Sequence, residues 1–305
     1  MGLSPQRGLD ASPEKVAENS KAISRGRGIA SDAHWDTARA EAGLALLFKA
    51  GTRASADDVE RHFARSVAGS RESQLTPGQH SPYRISAGQR DELPARISSQ
   101  RGRADGWLEL LASGLTFDLV GLAPGPALPV PQPRHYFGLP RDLDPFAFEC
   151  IVLRPGPHLA GAGAMVPVVR IMAVLASQLA RGMGALALCW QPAASWMDAQ
   201  YFARIVDGWS AGGAFPALGL TGIERTDDGG VVTDGLAWFI GQELRVEPRS
   251  GEAASDTVKL AVRMIDHLVR EGPVAARATL SGPGGEALLA DPSADGRLLR
   301  LRRDA

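Results

Sequence analysis

Between Lys49 and Lys259 the chain has no lysine. A phosphate-binding P-loop needs a Gly-Lys pair after its glycines, so that nucleotide chemistry is excluded. Cysteine is nearly as scarce, with only Cys150 and Cys189, both inside apolar runs. Two cysteines make no disulfide framework, and buried thiols of this kind behave as small hydrophobes. There is no excess of positive charge either: 33 Lys and Arg stand against 34 Asp and Glu, a formal net charge of −1. A nucleic-acid binder needs a basic face to displace counterions, so DNA and RNA are not expected partners. Long uncharged runs such as 155–169 and 182–197 contain Gly or Pro and fall short of the about 18–20 apolar residues of a membrane span. Met1–Arg27 is polar and lacks the apolar stretch of a secretory signal. The expected setting is the cytoplasm, without membrane contact.

What is present is apolar density. Of 305 residues, 44% are hydrophobic, enough to fill a core without disulfide or metal staples. Residues 1–31 read as a flexible polar tail. Residues 32–305 read as a single domain with its core over 105–305, and residues 70–103 as a long surface segment rich in Ser, Gln, Arg, Gly and Pro. A helical start at Asp32 passes into a strand at Gly43–Lys49. A helix follows from Ser55, with Asp58 at capping-box spacing, Val59, Phe63 and Val67 on one stripe and Gly69 at its end. Leu115–Leu122, Phe146–Leu153 and Ala185–Trp190 read as strands, the second apolar on both faces and so central. Met165–Arg181 reads as a buried helix with Pro167 in its first turn. Ser195 is expected to cap a helix carrying Phe202, Ile205, Val206 and Trp209 inward. Asp227-Asp228-Gly229 marks a hairpin between Leu218–Ile223 and Gly230–Thr233. A turn and strand follow within Leu236–Val246. Ser255 is expected to cap a last helix, with Val258, Val262, Ile265 and Val269 inward. Strands at Ala276–Ser281 and Ala287–Ala290 and an edge at Leu298–Leu301 close the chain. Strict βαβ alternation is missing, so the pattern predicts an α+β fold: a mixed or mainly antiparallel sheet with helices mostly on one face.

Motifs that name a reaction are missing. Gly161-Ala162-Gly163 lies between strand and helix, but Val166 stands where the dinucleotide pattern needs its third glycine. No pair among the six histidines has metal-ligand spacing, so neither metal nor cofactor is expected. His135 and His158 flank one strand in presumed loops, with Asp142, Asp144 and Glu149 near them in sequence; these five are the candidates for acid–base chemistry. No Gly-x-Ser-x-Gly elbow occurs. Aromatics cluster from Trp190 to Phe239, which is expected to be core. Trp196 lies off the Phe202–Trp209 stripe and is expected to be partly exposed; with Tyr201 it is a candidate contact residue.

The stretch Thr233-Asp234-Gly235-Leu236-Ala237-Trp238-Phe239-Ile240-Gly241-Gln242-Glu243-Leu244 resembles the Thr-x-Gly-Leu…Gly-x-x-Glu-Leu segment of an uncharacterised bacterial family distantly similar to suppressor-of-fused-like domains. The likeness spans about Phe146 to Val246, and Ile240 departs from it where an aromatic is usual. It implies an α+β domain of binding or accessory type, related to domains that bind a protein partner at toxin–immunity loci. It carries over no catalytic residue. Physically, Gly235 permits positive φ or close packing, Leu236 enters the core, and Glu243 can hold a neighbouring loop by accepting backbone N–H bonds. Glu243 therefore joins Trp196 and Tyr201 as a candidate binding residue.

Two functions follow as expectations. The first is a non-enzymatic protein-binding or accessory module, of immunity type, with a protein partner or self-association and a contact patch near Trp196 and the loop Ala123–Arg134. The alternative is a small-molecule hydrolase in which His135 or His158 works with Asp142, Asp144 or Glu149.

Overall fold

Leu44–Lys49 reads Leu-Ala-Leu-Leu-Phe-Lys, and a strand with no polar residue before its end needs cover on both faces. This strand, β1, has that cover: Leu44 to Phe48 are all buried. The computed structural model describes residues 42–72, 106–140 and 142–303, and these belong to one compact unit. The expected tail 1–31, the helix from Asp32 and residues 73–103 of the expected surface segment lie outside the described residues.

Helix α1 (Ala56–Glu72) begins at the predicted capping box. Ser55 N and Oγ donate to Asp58 Oδ2 at 2.9 and 2.7 Å, and Asp58 N donates back to Ser55 Oγ at 3.2 Å. These bonds hold the Asp58 carboxyl below its usual range. The helix does not stop at Gly69 but continues to Glu72. A strand the sequence reading missed, β2 (Trp107–Ala112), then pairs with β3 (Leu115–Val120) through Ser113 and Gly114. Both turn residues have positive φ, 49° and 77°, the geometry of a tight hairpin. The short β4 (His135–Phe137) and long β5 (Phe148–Pro155) follow, so His135 lies in a strand and not in a loop.

Helix α2 (Val166–Met183) has Pro167 in its first turn as expected. Next come β6 (Ala187–Trp190), β7 (Ser195–Asp198) and α3 (Ala199–Ser210). Ser195 therefore caps nothing. Asp198 is the cap instead, accepting from Tyr201 N at 2.8 Å, because a carboxylate directly before the helix reaches the free amides that Ser195 cannot. The short α4 (Ala217–Leu220) leads into the hairpin of β8 (Gly222–Arg225) and β9 (Val231–Asp234). After α5 (Ala237–Ile240) and β10 (Glu243–Val246) comes α6 (Ala254–Glu271). Its cap position is Ala253, without a side-chain bond, and its inward stripe is Thr257, Leu260, Ala261, Met264, Ile265 and Leu268. Of the expected stripe, Ile265 is fully buried and Val258, Val262 and Val269 pack at the margin of the core, whose centre is taken by the larger Leu260, Met264 and Leu268. The chain closes with β11 (Ala278–Ser281), β12 (Ala287–Pro292) and β13 (Leu298–Arg303).

The fold is α+β, but it has two sheets where one was expected. The first runs β2-β3-β5-β1-β6-β7-β4 and the second β11-β12-β13-β10-β9-β8. Pairing is antiparallel except for β4 with β7 and β10 with β13. The last strand is no edge: β13 lies between β12 and β10. One continuous core joins Leu44, Leu46 and Phe48 of β1, through the helices, to Leu244, Leu299 and Leu301 of the second sheet. The alternate residues of the first sheet face the other way. Ala45, Leu47, Cys150, Val152, Cys189 and Trp196 form a smaller core there, packed against Leu128 and Val130 of the Pro-rich loop. By length and composition, α2 could span a membrane, but Val169, Met172, Ala173 and Ala176 are buried inside the protein.

Arg53 holds that loop in place. Its guanidinium donates to the carbonyls of Gly121 (2.7 Å), Gly125 (2.7 Å) and Pro126 (3.0 Å), and its Nε lies 3.6 Å from Glu149. In Arg53→Ala, hydrogen exchange of the Leu122 and Ala123 amides should speed up by about tenfold or more, while the β1 amides keep wild-type protection.

Candidate functional site at the junction of the sheets

The two sheets meet where three turns converge: the approach to β4, the turn from β6 to β7, and the turn from β9 into α5. Glu243 organises the third. Its carboxylate accepts from the backbone amides of Gly235 (2.8 Å), Leu236 (3.2 Å) and Ala237 (3.0 Å), and from Thr233 Oγ1 (2.5 Å). One side chain thus satisfies the free amides at the start of α5. Gly235 has φ +85°, and a Cβ there would fall 2.8 Å from Ala193 Cβ, so both positive φ and close packing demand glycine. Across this contact, Ala194 has φ 47°, and its carbonyl accepts from the amides of Arg134 (2.9 Å) and His135 (3.3 Å).

Asp234 completes the junction. Its Oδ2 lies 3.0 Å from His135 Nε2 and 2.9 Å from Arg134 Nη1. His135 is 15% exposed and lies against β8, where a Cβ on Gly222 would come within 2.2 Å of the ring. In the β4–β7 pairing His135 stands opposite Ser195. Ser195, His135 and Asp234 are the residue types of a hydrolytic triad. Their geometry is that of a latch. His135 spends Nε2 on Asp234, Ser195 is 2% exposed, and its hydroxyl reaches only Leu218 O at 3.5 Å, the outer limit of a hydrogen bond. No hydrogen bond joins Ser195 to His135 among the described residues. Asp234 was missed from the sequence because it is 99 residues from His135.

The five acid–base candidates do not converge. His135 on β4 is four strand spacings from Glu149 on β5, or about 19 Å. His158 lies on a 3-10 turn (Pro157–Ala162) beyond the opposite end of β5, with Nε2 2.6 Å from Thr116 Oγ1. Glu149 faces Arg53. Asp144 caps a 3-10 turn (Pro145–Ala147) by accepting from Phe146 N at 2.9 Å, and Asp142 is exposed beside it. Among the described residues no three His, Cys, Asp or Glu side chains form a metal-ligand group.

The expected exposure of Trp196 is overturned. Trp196 is 0% exposed; its Nε1 donates to Pro131 O at 3.1 Å, and its ring packs edge-on to Phe148 at 5.5 Å. The Pro-rich loop covers this tryptophan, so the proposed patch of loop and indole is an internal contact. Tyr201 is half-buried against Phe137, ring centroids 4.6 Å apart, with the Arg204 guanidinium over its ring. The other aromatics form core as expected: Trp190 meets Trp238 edge-on at 4.9 Å and stacks on Phe239 at 5.9 Å. Neither a family model, nor a curated protein, nor a solved structure matches this chain.

Two outcomes follow. Glu243→Gln loses the charge on four bonds and leaves its new NH2 facing amide donors; about 3 kcal/mol of stability should go, read as a lower urea midpoint at unchanged slope. Burial pushes the Cys150 thiol up to about 11 and the Cys189 thiol higher still. Both therefore stay protonated at pH 8, and a thiol-disulfide reagent should label neither in the folded protein and both in guanidinium.

Proposed function

We propose that the chain is a non-enzymatic protein-binding module of accessory or immunity type, with its contact surface centred on Phe146. The exposure of this ring carries the reading: Phe146 is 88% exposed. Asp144 caps the turn on which it stands, and Pro145 restricts the backbone before it. A large aromatic held out on a fixed turn loses little freedom when it is buried, which is the property of an interface anchor. Leu186, 52% exposed, supports the same surface. Its amide donates to Leu47 O, while Ala50 N donates to Ala147 O, so both apolar residues stand at the end of the first sheet where β1 finishes. The catalytic alternative has less support, since His135, Glu149 and Asp144 are drawn into contacts that hold loops and turns.

Replacing Phe146 with a photo-crosslinking phenylalanine analogue in the native host should give a discrete crosslinked species that is missing when the analogue stands at exposed Arg225. Phe146→Ser should keep the melting temperature within about 2 °C while losing the partner captured by tagged wild-type protein. No crosslink at position 146, or equal capture by wild type and Phe146→Ser, would reject the surface.

A further inference from the structure

The first sheet also carries an unbalanced charge near its other edge. Glu109 on β2 stands directly opposite Asp118 on β3, and Asp118 stands opposite Arg154 on β5. All three side chains leave the sheet on the same face, because Leu108, Leu110, Phe117, Leu119 and Leu153 take the main core. Directly opposed residues of an antiparallel pair have Cβ atoms about 5 Å apart, and like charges there repel. Arg154 is a loose counterion, with Nε 3.8 Å from Asp118 Oδ2. Glu109 is half-buried and has no hydrogen bond or ion pair among the described residues. Two carboxylates against one guanidinium leave one negative charge over.

Asp118 supplies the second observation. It is 5% exposed, and its Oδ1 is buried without any hydrogen-bond partner. An ionised oxygen shut away from water and protein donors alike is costly, and a cation is the ligand that offsets it. We propose that Glu109 and Asp118 bind a hard divalent cation, Ca2+ in preference to Mg2+. An ammonium or guanidinium group is larger than the water that Oδ1 already excludes. Glu109, which has no partner among the described residues, is free to turn towards Asp118, and a hydrated cation exchanges its waters for oxygens of both carboxylates. Ca2+ is favoured because it tolerates irregular oxygen shells at about 2.3–2.6 Å, whereas Mg2+ sheds its water reluctantly. Both carboxylates supply ligands, and water completes the shell on the open side of Glu109. Two acidic side chains are fewer than a tight site uses, so the dissociation constant should be on the order of 1 mM.

Thermal unfolding of the full chain in CaCl2, MgCl2 and NaCl at matched ionic strength tests this. With 10 mM CaCl2 the wild-type midpoint should rise by about 3 °C over NaCl, and less with MgCl2. Asp118→Asn should melt above wild type without calcium, having lost the repulsion, and should show no calcium response. Glu109→Gln should also lose the response, and it decides the matter if Asp118→Asn does not fold. Calorimetric titration of wild type should give one site per chain. Equal midpoints in CaCl2 and NaCl, or a full calcium shift in Glu109→Gln, would overturn the site.

Discussion

The junction between the sheets depends on the carboxylate of Glu243. Four donors converge on it from Thr233, Gly235, Leu236 and Ala237, so one ionised group fixes the path from β9 into α5. Bonds to an ionised acceptor are roughly twice as strong as neutral ones, and here they act together on a single turn. The turn in turn places Gly235 against Ala193 and Asp234 against His135 and Arg134. The first sheet is thereby tied to the second by contacts too short to tolerate a larger residue. Nearby, Trp190 Nε1 and Trp238 Nε1 are buried without acceptors. Each costs about 1–3 kcal/mol, which the edge-on and stacked aromatic contacts around them must exceed.

Local signals were legible in the sequence where local chemistry decides them. The Ser55–Asp58 box, Pro167 in the first turn of α2, the Asp-Gly hairpin and the two-faced burial of β5 depend on residues within a few positions of one another. The role of Glu243 belongs with them, since its partners lie six to ten residues upstream. What was illegible depends on distant contacts. Trp196 reads as a surface residue until a loop 65 residues away covers it. The valines of α6 have the right period, but which residues take the centre of the core is set by how much volume the second sheet leaves to fill. Nothing near Leu298 announces a central strand, because its neighbour β10 joins it from more than fifty residues upstream.

The candidate site shows the same division. Histidines near carboxylates in sequence suggested acid–base chemistry, but a strand separates residues that are close along the chain. Phe148 and Pro155 mark opposite ends of β5, and the groups beyond those ends never meet. The histidine that does find a carboxylate finds one from the other sheet, and its ring is packed against the backbone of Gly222. The residue types of a triad here fasten one sheet to the other, since among the described residues no hydrogen bond joins Ser195 to His135.

The position of β13 has a consequence for how the molecule comes into being. This strand, made of residues 298–303, is the seam between β11–β12 on one side and β10–β9–β8 on the other. Until it is in place the second sheet exists only as two separate ribbons, each with an open inner edge able to pair with other chains. Its parallel partnership with β10 must close a loop holding an entire helix and two strands, an event slow by comparison with hairpin formation. Closure of the second sheet therefore waits on residues 298–303, and a chain lacking them keeps the inner edges of both ribbons unpaired.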